Sequence, residues 1–122
     1  MSVYKAFNNV FLSLLEDCIL VFPNDPEFKK YKKGAKLLDT FNPRKAAQVY
    51  KDYSASYREK INAKDEGFFI QNDYSDIQEV QEDNEIVKFI EKIKSCWLQL
   101  SDENKEKIWK YLQTLSILSD KI

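Results

Sequence analysis

The side chains that could do chemistry in this chain are lysines, carboxylates, serines and two cysteines, because the sequence contains no histidine. Without an imidazole group, a Ser–His–Asp triad, a histidine metal site and histidine acid–base catalysis are excluded. The two glycines, Gly34 and Gly67, cannot build a Walker loop or a GxGxxG turn. A Ser–Lys dyad with Ser54 or Ser56 as nucleophile is still open, but such pairs arise by chance in a lysine-rich chain. We therefore expect a protein that is not an enzyme and that needs no cofactor.

Carboxylates are concentrated in one part of the chain, where they could bind a hard cation. The run consists of Asp65, Glu66, Asp73, Asp76, Glu79, Glu82, Asp83 and Glu85. It lacks the alternating ligand positions and the central glycine of an EF-hand loop. We interpret residues 70–83 as an acidic linker with at most one helical turn, and we expect no metal site.

The two cysteines, Cys18 and Cys96, form no CxxC motif, so neither a zinc site nor a thioredoxin-type pair is indicated. A disulfide is one alternative; two buried free thiols, which we favour, indicate a reducing compartment. The apolar N-terminal segment is interrupted by Asn8, Glu16 and Asp17 and has no cleavage site. This predicts an amphipathic helix rather than a signal peptide or a membrane span, and hence a cytoplasmic protein without a membrane partner.

Charge is distributed unevenly, although the net charge is only −1. Residues 28–64 carry eleven Lys and Arg against three acids, and residues 65–91 carry nine acids against one lysine, so the balances are +8 and −8. The candidate interaction residues are Lys29, Lys30, Lys32, Lys33, Lys36, Arg44, Lys45, Lys51, Arg58, Asp65 and Glu66. If the two basic helices lie side by side, their cations form a positive surface that can hold phosphates without reading bases. A solvated lysine face is the interpretation we favour, because only two of the eleven cations are arginine, which grips phosphate in bidentate fashion.

Apolar residues recur at three- and four-residue steps in five segments, which predicts five helices. The helices cover approximately residues 3–22, 26–41, 43–62, 84–98 and 102–118. With two glycines and three prolines, the chain has few turn residues for a β-sandwich or a barrel. We predict one all-α domain over residues 1–122, a compact bundle with an acidic loop between the third and fourth helices.

Local signals indicate where these helices begin and end. Ser2, Asp25, Asn42 and Ser101 are the predicted N-caps. Gly67 is the predicted left-handed residue after the third helix. The loop of two or three residues between the fourth and fifth helices predicts an antiparallel hairpin.

The apolar stripes also predict which aromatic residues enter the core, including Phe41 in the second helix and Trp97 in the fourth. Tyr50, Tyr53 and Tyr57 share one face of the third helix. We interpret them as core or half-core residues whose hydroxyl groups reach the rim, with stacking on bases as the alternative.

Asp65 and Glu66 lie at the end of the third helix, where the helix macrodipole disfavours acids. Such a local conflict sometimes marks a functional site. We expect these two acids to cap a neighbouring helix or to pair with Arg44 or Arg58, and we favour this internal role over a binding role.

Several short strings occur together along the chain. They are Phe22-Pro23, Phe41-Asn42-Pro43-Arg44, Lys64-Asp65-Glu66-Gly67-Phe68-Phe69, Trp97-Leu98-Gln99-Leu100-Ser101 and Ile108-Trp109-Lys110-Tyr111-Leu112. In that order they resemble small helical proteins of the nucleocytoplasmic large DNA viruses, over about residues 7–118. The resemblance implies a virus-encoded protein that acts in the infected cell or is packaged in the particle. It brings no established activity, so no catalytic residue is carried over.

The function that we expect is non-catalytic protein–protein interaction. A folded core, segregated charges and the absence of catalytic motifs favour a module that binds another protein, which could be a second copy of itself. The alternative is a protein that binds the nucleic-acid backbone through the basic residues of 29–58.

Overall fold

The computed structural model describes residues 2–67 and 85–122, so the predicted acidic linker at 70–83 lies outside the described residues. The described part is helical and contains no strand, and the predicted all-α bundle is confirmed. Its helices are α1 (Val3–Val21), α2 (Pro26–Phe41), α3 (Lys45–Ser54), α4 (Arg58–Asn62), α5 (Glu85–Cys96) and α6 (Asp102–Ser119). Two 3-10 turns, Ala55–Tyr57 and Trp97–Gln99, complete this part of the chain. The third predicted helix is therefore divided into α3 and α4.

Three of the four predicted N-caps are confirmed. The side-chain oxygens of Ser2, Asp25 and Ser101 accept backbone N–H groups of the first helical turn at 3.0–3.1 Å. The prediction for Asn42 is wrong, because this residue already ends α2. Its backbone N–H donates to the Leu38 carbonyl at 2.8 Å, and α3 begins without a side-chain cap.

The residue that ends α4 is Lys64, and not Gly67 as predicted. Lys64 has a φ of 55°, whereas no glycine in the described part has a positive φ. The N–H of Asp65 donates to the Lys60 carbonyl at 3.0 Å, and the N–H of Lys64 donates to the Ile61 carbonyl at 3.1 Å. These two bonds form a Schellman motif. Because α4 ends earlier than the sequence indicated, the left-handed position falls on a lysine.

The helices pack around α1, which contacts α2, α3 and α6. The predicted antiparallel hairpin of α5 and α6 is wrong: α5 packs on α2 and α3, while α6 packs on α1, α3 and α4. The two helices diverge after the 3-10 turn at Trp97–Gln99, where Leu100 is extended and buried. The two apolar stripes thereby share α3 and otherwise cover different helices, which closes the core from two sides.

The core contains a cluster of aromatic rings centred on Phe89 of α5. Its ring centroid lies 5.4 Å from that of Phe11 in α1 and 6.2 Å from that of Phe28 in α2, both in edge-to-face geometry. Trp97 and Trp109 form a similar pair at 5.1 Å. Edge-to-face pairs add about 0.5–1.5 kcal/mol to the burial of their apolar area. This cluster fixes α5 between α1 and α2.

Phe41 does not enter the core, and the prediction for it is wrong. Its side chain is 80% exposed. At roughly 100° per residue, the six residues from Ala35 to Phe41 turn the side chain about 120° away from the buried line of α2. Phe41 therefore lies on the solvent side of the helix.

Candidate functional site

One face of α2 combines exposed lysines with exposed apolar side chains. Leu37 and Phe41 are one helical turn apart and are 52% and 80% exposed. We call this face the α2 surface: Lys29, Lys30, Lys33, Lys36, Leu37 and Phe41. None of its four lysines forms an ion pair with another described residue. The sequence predicted the lysines of this surface but placed Phe41 elsewhere.

Lys32 belongs to a different side of α2. Its Nζ lies 3.4 Å from Glu16 Oε1 of α1, and its side chain is half-buried. Lys32 therefore helps to join α2 to α1, and the open cationic surface does not include it.

Most of the predicted cations of α3 and α4 contact other parts of the fold. Lys51 Nζ donates to the Ile122 carbonyl at 2.8 Å, next to the end of α6. Arg44 lies over the ring of Tyr4 at 5.5 Å, and Lys45 is exposed at the first residue of α3. Cations are stabilised near a helix C-terminus, where the macrodipole is negative, which explains the position of Lys51.

Arg58 binds the last turns of α6 in the same way. Its Nη1 donates to the Ser116 carbonyl at 3.3 Å, and its Nη2 donates to Ser54 Oγ at 3.1 Å. The guanidinium group also pairs with Asp120. A basic surface that is continuous from α2 to α4 is therefore not formed, because Lys32, Lys51 and Arg58 are bound to other parts of the fold.

Asp65 and Glu66 do not pair with Arg44 or Arg58, so this prediction is wrong. Glu66 Oε1 accepts hydrogen bonds from Trp97 Nε1 at 2.9 Å and from Lys105 Nζ at 2.7 Å. The Lys105 hydrogen bond, followed by that of Trp97, lowers the pKa of Glu66 below its usual value.

The turn after α4 explains the partners of these two acids. The left-handed Lys64 directs the following residues towards α6, and the Lys64 side chain pairs with Glu106 of that helix. Asp65 Oδ2 lies 3.4 Å from Lys60 Nζ. Neither acid caps the N-terminus of α6, which is capped by Ser101.

A buried lysine in α5 was missed at the sequence level. Lys94 Nζ donates to Tyr53 Oη at 2.9 Å and lies 5.6 and 5.7 Å from the ring centroids of Tyr53 and Tyr57. Burial lowers the pKa of Lys94 to about 8. The sequence spacing indicates the buried position, because Lys94 follows Ile90 by four residues and thus continues the apolar stripe of α5.

The surroundings of Lys94 are too tight for a substrate. The adjoining cavity measures about 10 Å³ and is lined mainly by aromatic and aliphatic groups, with Ser54 among them. A single water needs about 10–15 Å³. Ser54 is also fully buried and bonded to Arg58, so a Ser–Lys dyad with Ser54 as nucleophile has no room for an acyl group.

The described carboxylates and thiols form no recognisable reactive centre. Within residues 2–67 and 85–122, no group of three or more Asp, Glu or Cys side chains is arranged to hold a metal ion. Cys18 and Cys96 are buried and free, as predicted. Burial raises the pKa of Cys18 to about 12, which keeps its thiol protonated and unreactive at neutral pH.

Comparison of the chain with protein family models, with curated protein sequences and with solved structures gives no match. Among the helices of the described part, none is long and apolar enough to cross a membrane. Functional inference therefore depends on the geometry of the described residues.

Proposed function

We propose that the chain is a non-catalytic protein-interaction module that binds acidic protein segments through the α2 surface, and that its partner is a second copy of the chain. The observation that carries this proposal is the exposure of Leu37 and Phe41 on the same face as four lysines without ion pairs to other described residues. Exposed apolar groups with a polar rim are typical of docking surfaces. Their partner must offer acids together with apolar side chains.

The chain itself carries a segment of that composition. Residues 65–91 have a charge balance of −8 and include Ile70, Tyr74, Ile77 and Val80. In a head-to-tail contact, these acids would set the orientation and the association rate more than the affinity. The apolar side chains would supply the affinity, since burying a Phe or Leu contributes roughly 1.5–3 kcal/mol and an exposed ion pair about 0–1 kcal/mol.

The resemblance to proteins of large DNA viruses suggests where the proposed interaction takes place. We extend the proposal to a viral protein that assembles in the host cytoplasm or within the particle. Head-to-tail contacts that do not close into a ring produce open chains of subunits, which suits a packaged component.

Sedimentation equilibrium at ~50 mM and ~500 mM salt tests the proposal on the full chain. We expect an oligomer at both salts, with weaker association at high salt because salt screens the charges. Phe41→Ser should weaken association by at least about tenfold at both salts, because it removes apolar burial. Lys29→Glu with Lys33→Glu should abolish the low-salt oligomer. A chain that is monomeric at millimolar concentration in both salts would overturn the proposal.

The matched control is Lys107→Glu with Lys110→Glu, which changes the net charge equally at exposed positions of α6. It should leave association unchanged, and equal loss in both variants would mean that net charge alone is responsible. A duplex DNA titration at ~50 mM salt tests the nucleic-acid alternative. Binding of DNA by a monomeric chain, lost in the α2 variant, would replace protein interaction as the function of this surface.

A further inference from the structure

A groove between α1 and α6 lies outside every site described above. It has a volume of about 410 Å³ and is open to solvent. Its lining consists of Val10, Asp17, Lys107, Lys110, Tyr111 and Thr114. Pockets that bind small molecules in proteins typically measure about 300–1,000 Å³, so the groove is large enough for a ligand.

The groove has an apolar floor and a cationic side. Val10 and the ring of Tyr111 supply apolar surface, while Lys107 and Lys110 lie three residues apart on the same face of α6. The aliphatic stems of such lysines cover apolar surface, and their ammonium groups remain at the mouth. Lys110 forms no ion pair with another described residue. Lys107 Nζ lies 3.9 Å from Oε1 of the exposed Glu103 side chain.

The one acid of the groove is already engaged. Tyr111 Oη donates a hydrogen bond to Asp17 Oδ2, which joins α6 to α1. Burial, followed by this hydrogen bond and the charge of Asp17, raises the pKa of Tyr111 to about 12. Tyr111 therefore stays a donor over the physiological pH range, and the two lysines give the groove a net positive character.

A second cavity continues behind the Tyr111–Asp17 pair. It shares Asp17, Lys107 and Tyr111 with the groove, but its remaining lining is mostly apolar and includes Leu14, Val21, Phe22, Leu100 and Ile108. Its volume is about 20 Å³, which is space for about one water-sized group.

We infer that the groove between α1 and α6 binds a small anionic amphiphile, which carries one carboxylate or sulfonate on an apolar chain. The anionic group lies between Lys107 and Lys110, and the apolar chain lies on Val10 and Tyr111. A cationic amphiphile would meet both lysines and is rejected. This site is independent of the α2 surface and shares no residue with it.

Titration of the isotope-labelled full chain with decanoate, followed by amide NMR shifts, tests the inference. We expect saturable shifts concentrated at residues 10–22 and 104–114, with a dissociation constant on the order of 100 µM. Decylammonium has the same tail and the opposite charge, and it should bind at least about tenfold more weakly. Equal binding of both amphiphiles, or shifts centred on α2, would overturn the inference.

Three variants localise the site. Lys107→Gln with Lys110→Gln should weaken decanoate binding by at least about tenfold, whereas Lys29→Gln with Lys33→Gln should leave it unchanged. Val10→Trp fills the groove and should abolish binding, with the far-ultraviolet spectrum and melting temperature serving as checks of folding. Tyr111→Phe keeps the ring but leaves the Asp17 carboxylate without its hydrogen bond, so decanoate binding should weaken by a few fold. Unchanged affinity in both the α6 lysine variant and Val10→Trp would contradict the assignment.

Discussion

Lys94 Nζ donates a hydrogen bond of 2.9 Å to Tyr53 Oη, although the lysine side chain is buried. The ammonium group thus uses the hydroxyl of Tyr53, and it also lies 5.7 Å from the ring centroid of Tyr57. Cation–π contacts of this kind contribute about 0.5–2 kcal/mol. They do not fully replace hydration, since burial still lowers the pKa of Lys94 to about 8.

This lowered pKa predicts that stability increases with pH. Between about pH 8 and 10.5, Lys94 binds a proton in the unfolded chain but not in the folded one, so unfolding becomes less favourable as pH rises. Below pH 8 Lys94 is charged in the folded chain, so the full cost of burying its ammonium group lowers the stability. The wild type should therefore gain about 3 kcal/mol over this range relative to Lys94→Met. Urea unfolding of both proteins at about pH 7, 8.5 and 10 measures the gain, and a constant difference would contradict it.

The same variant tests the cost of the buried charge at neutral pH. A methionine of similar length fills the space beside Tyr53 and Tyr57 without an ammonium group to dehydrate. Lys94→Met should therefore equal or exceed the wild type in stability at pH 7. A loss of more than about 2 kcal/mol would mean that the contacts of Lys94 outweigh its dehydration.

The left-handed position at residue 64 gives a second prediction. Lys64→Gly should be more stable than Lys64→Val by at least about 1 kcal/mol, because a β-branched side chain is strained at a positive φ. Both variants lose the same exposed ion pair with Glu106, so that loss cancels in the comparison. Thermal unfolding of the two variants provides the measurement.

Gly67→Ala distinguishes the observed helix end from the one that the sequence suggested. A left-handed glycine would make this substitution costly by about 1 kcal/mol. Gly67 has no positive φ, and among the described residues an added Cβ would meet only Asp65 Oδ1, at 3.4 Å. The variant should therefore remain within about 0.5 kcal/mol of the wild type. A larger loss would place the left-handed turn at Gly67 after all.

The sequence was sufficient for the fold class because apolar periodicity reports burial directly. Phe11, Phe28 and Phe89 lie on the apolar stripes of three predicted helices, and their rings meet in the core. It was insufficient for the pairing of helices, since a short loop permits either an antiparallel hairpin or two diverging helices. Both α5 and α6 pack on α3, but α5 also packs on α2 whereas α6 also packs on α1 and α4, and this choice depends on the shapes of all the packed faces together.

The candidate site, too, could be predicted from the sequence only in part. The four lysines of the α2 surface follow from helical spacing, whereas the inward roles of Lys51 and Arg58 depend on where α6 ends. The spacing of α3 and α4 gives no information about that position. Lys94 lies at a position that continues the apolar stripe of α5, but lysine is rarely buried, so the residue type gives no indication of its place in the core.

Tyr50 provides a further prediction, on the polar contacts inside the core. Its side chain is fully buried, and its hydroxyl lies 2.8 Å from the Leu112 carbonyl and 3.0 Å from Ser116 Oγ. Ser116 Oγ also donates to the Leu112 carbonyl, so that oxygen keeps a donor when the tyrosine hydroxyl is removed. Tyr50→Phe should therefore cost only about 1 kcal/mol in chemical denaturation. A loss above about 3 kcal/mol would show that the hydroxyl organises more of the core than these bonds.

The last prediction separates a structural cation from a binding cation. Arg58 donates to Ser54 and Ser116 from two different nitrogens and pairs with Asp120. The single ammonium group of a lysine cannot reach all three at once. Arg58→Lys should therefore lower stability by about 1–2 kcal/mol in urea unfolding and leave oligomer formation at low salt unchanged once the chain is folded. Lys29→Arg is the matched control, and it should change neither quantity by more than about 0.5 kcal/mol. If Arg58→Lys instead weakened association and spared stability, Arg58 would belong to the interaction surface, and the boundary drawn around α2 would have to extend to α4.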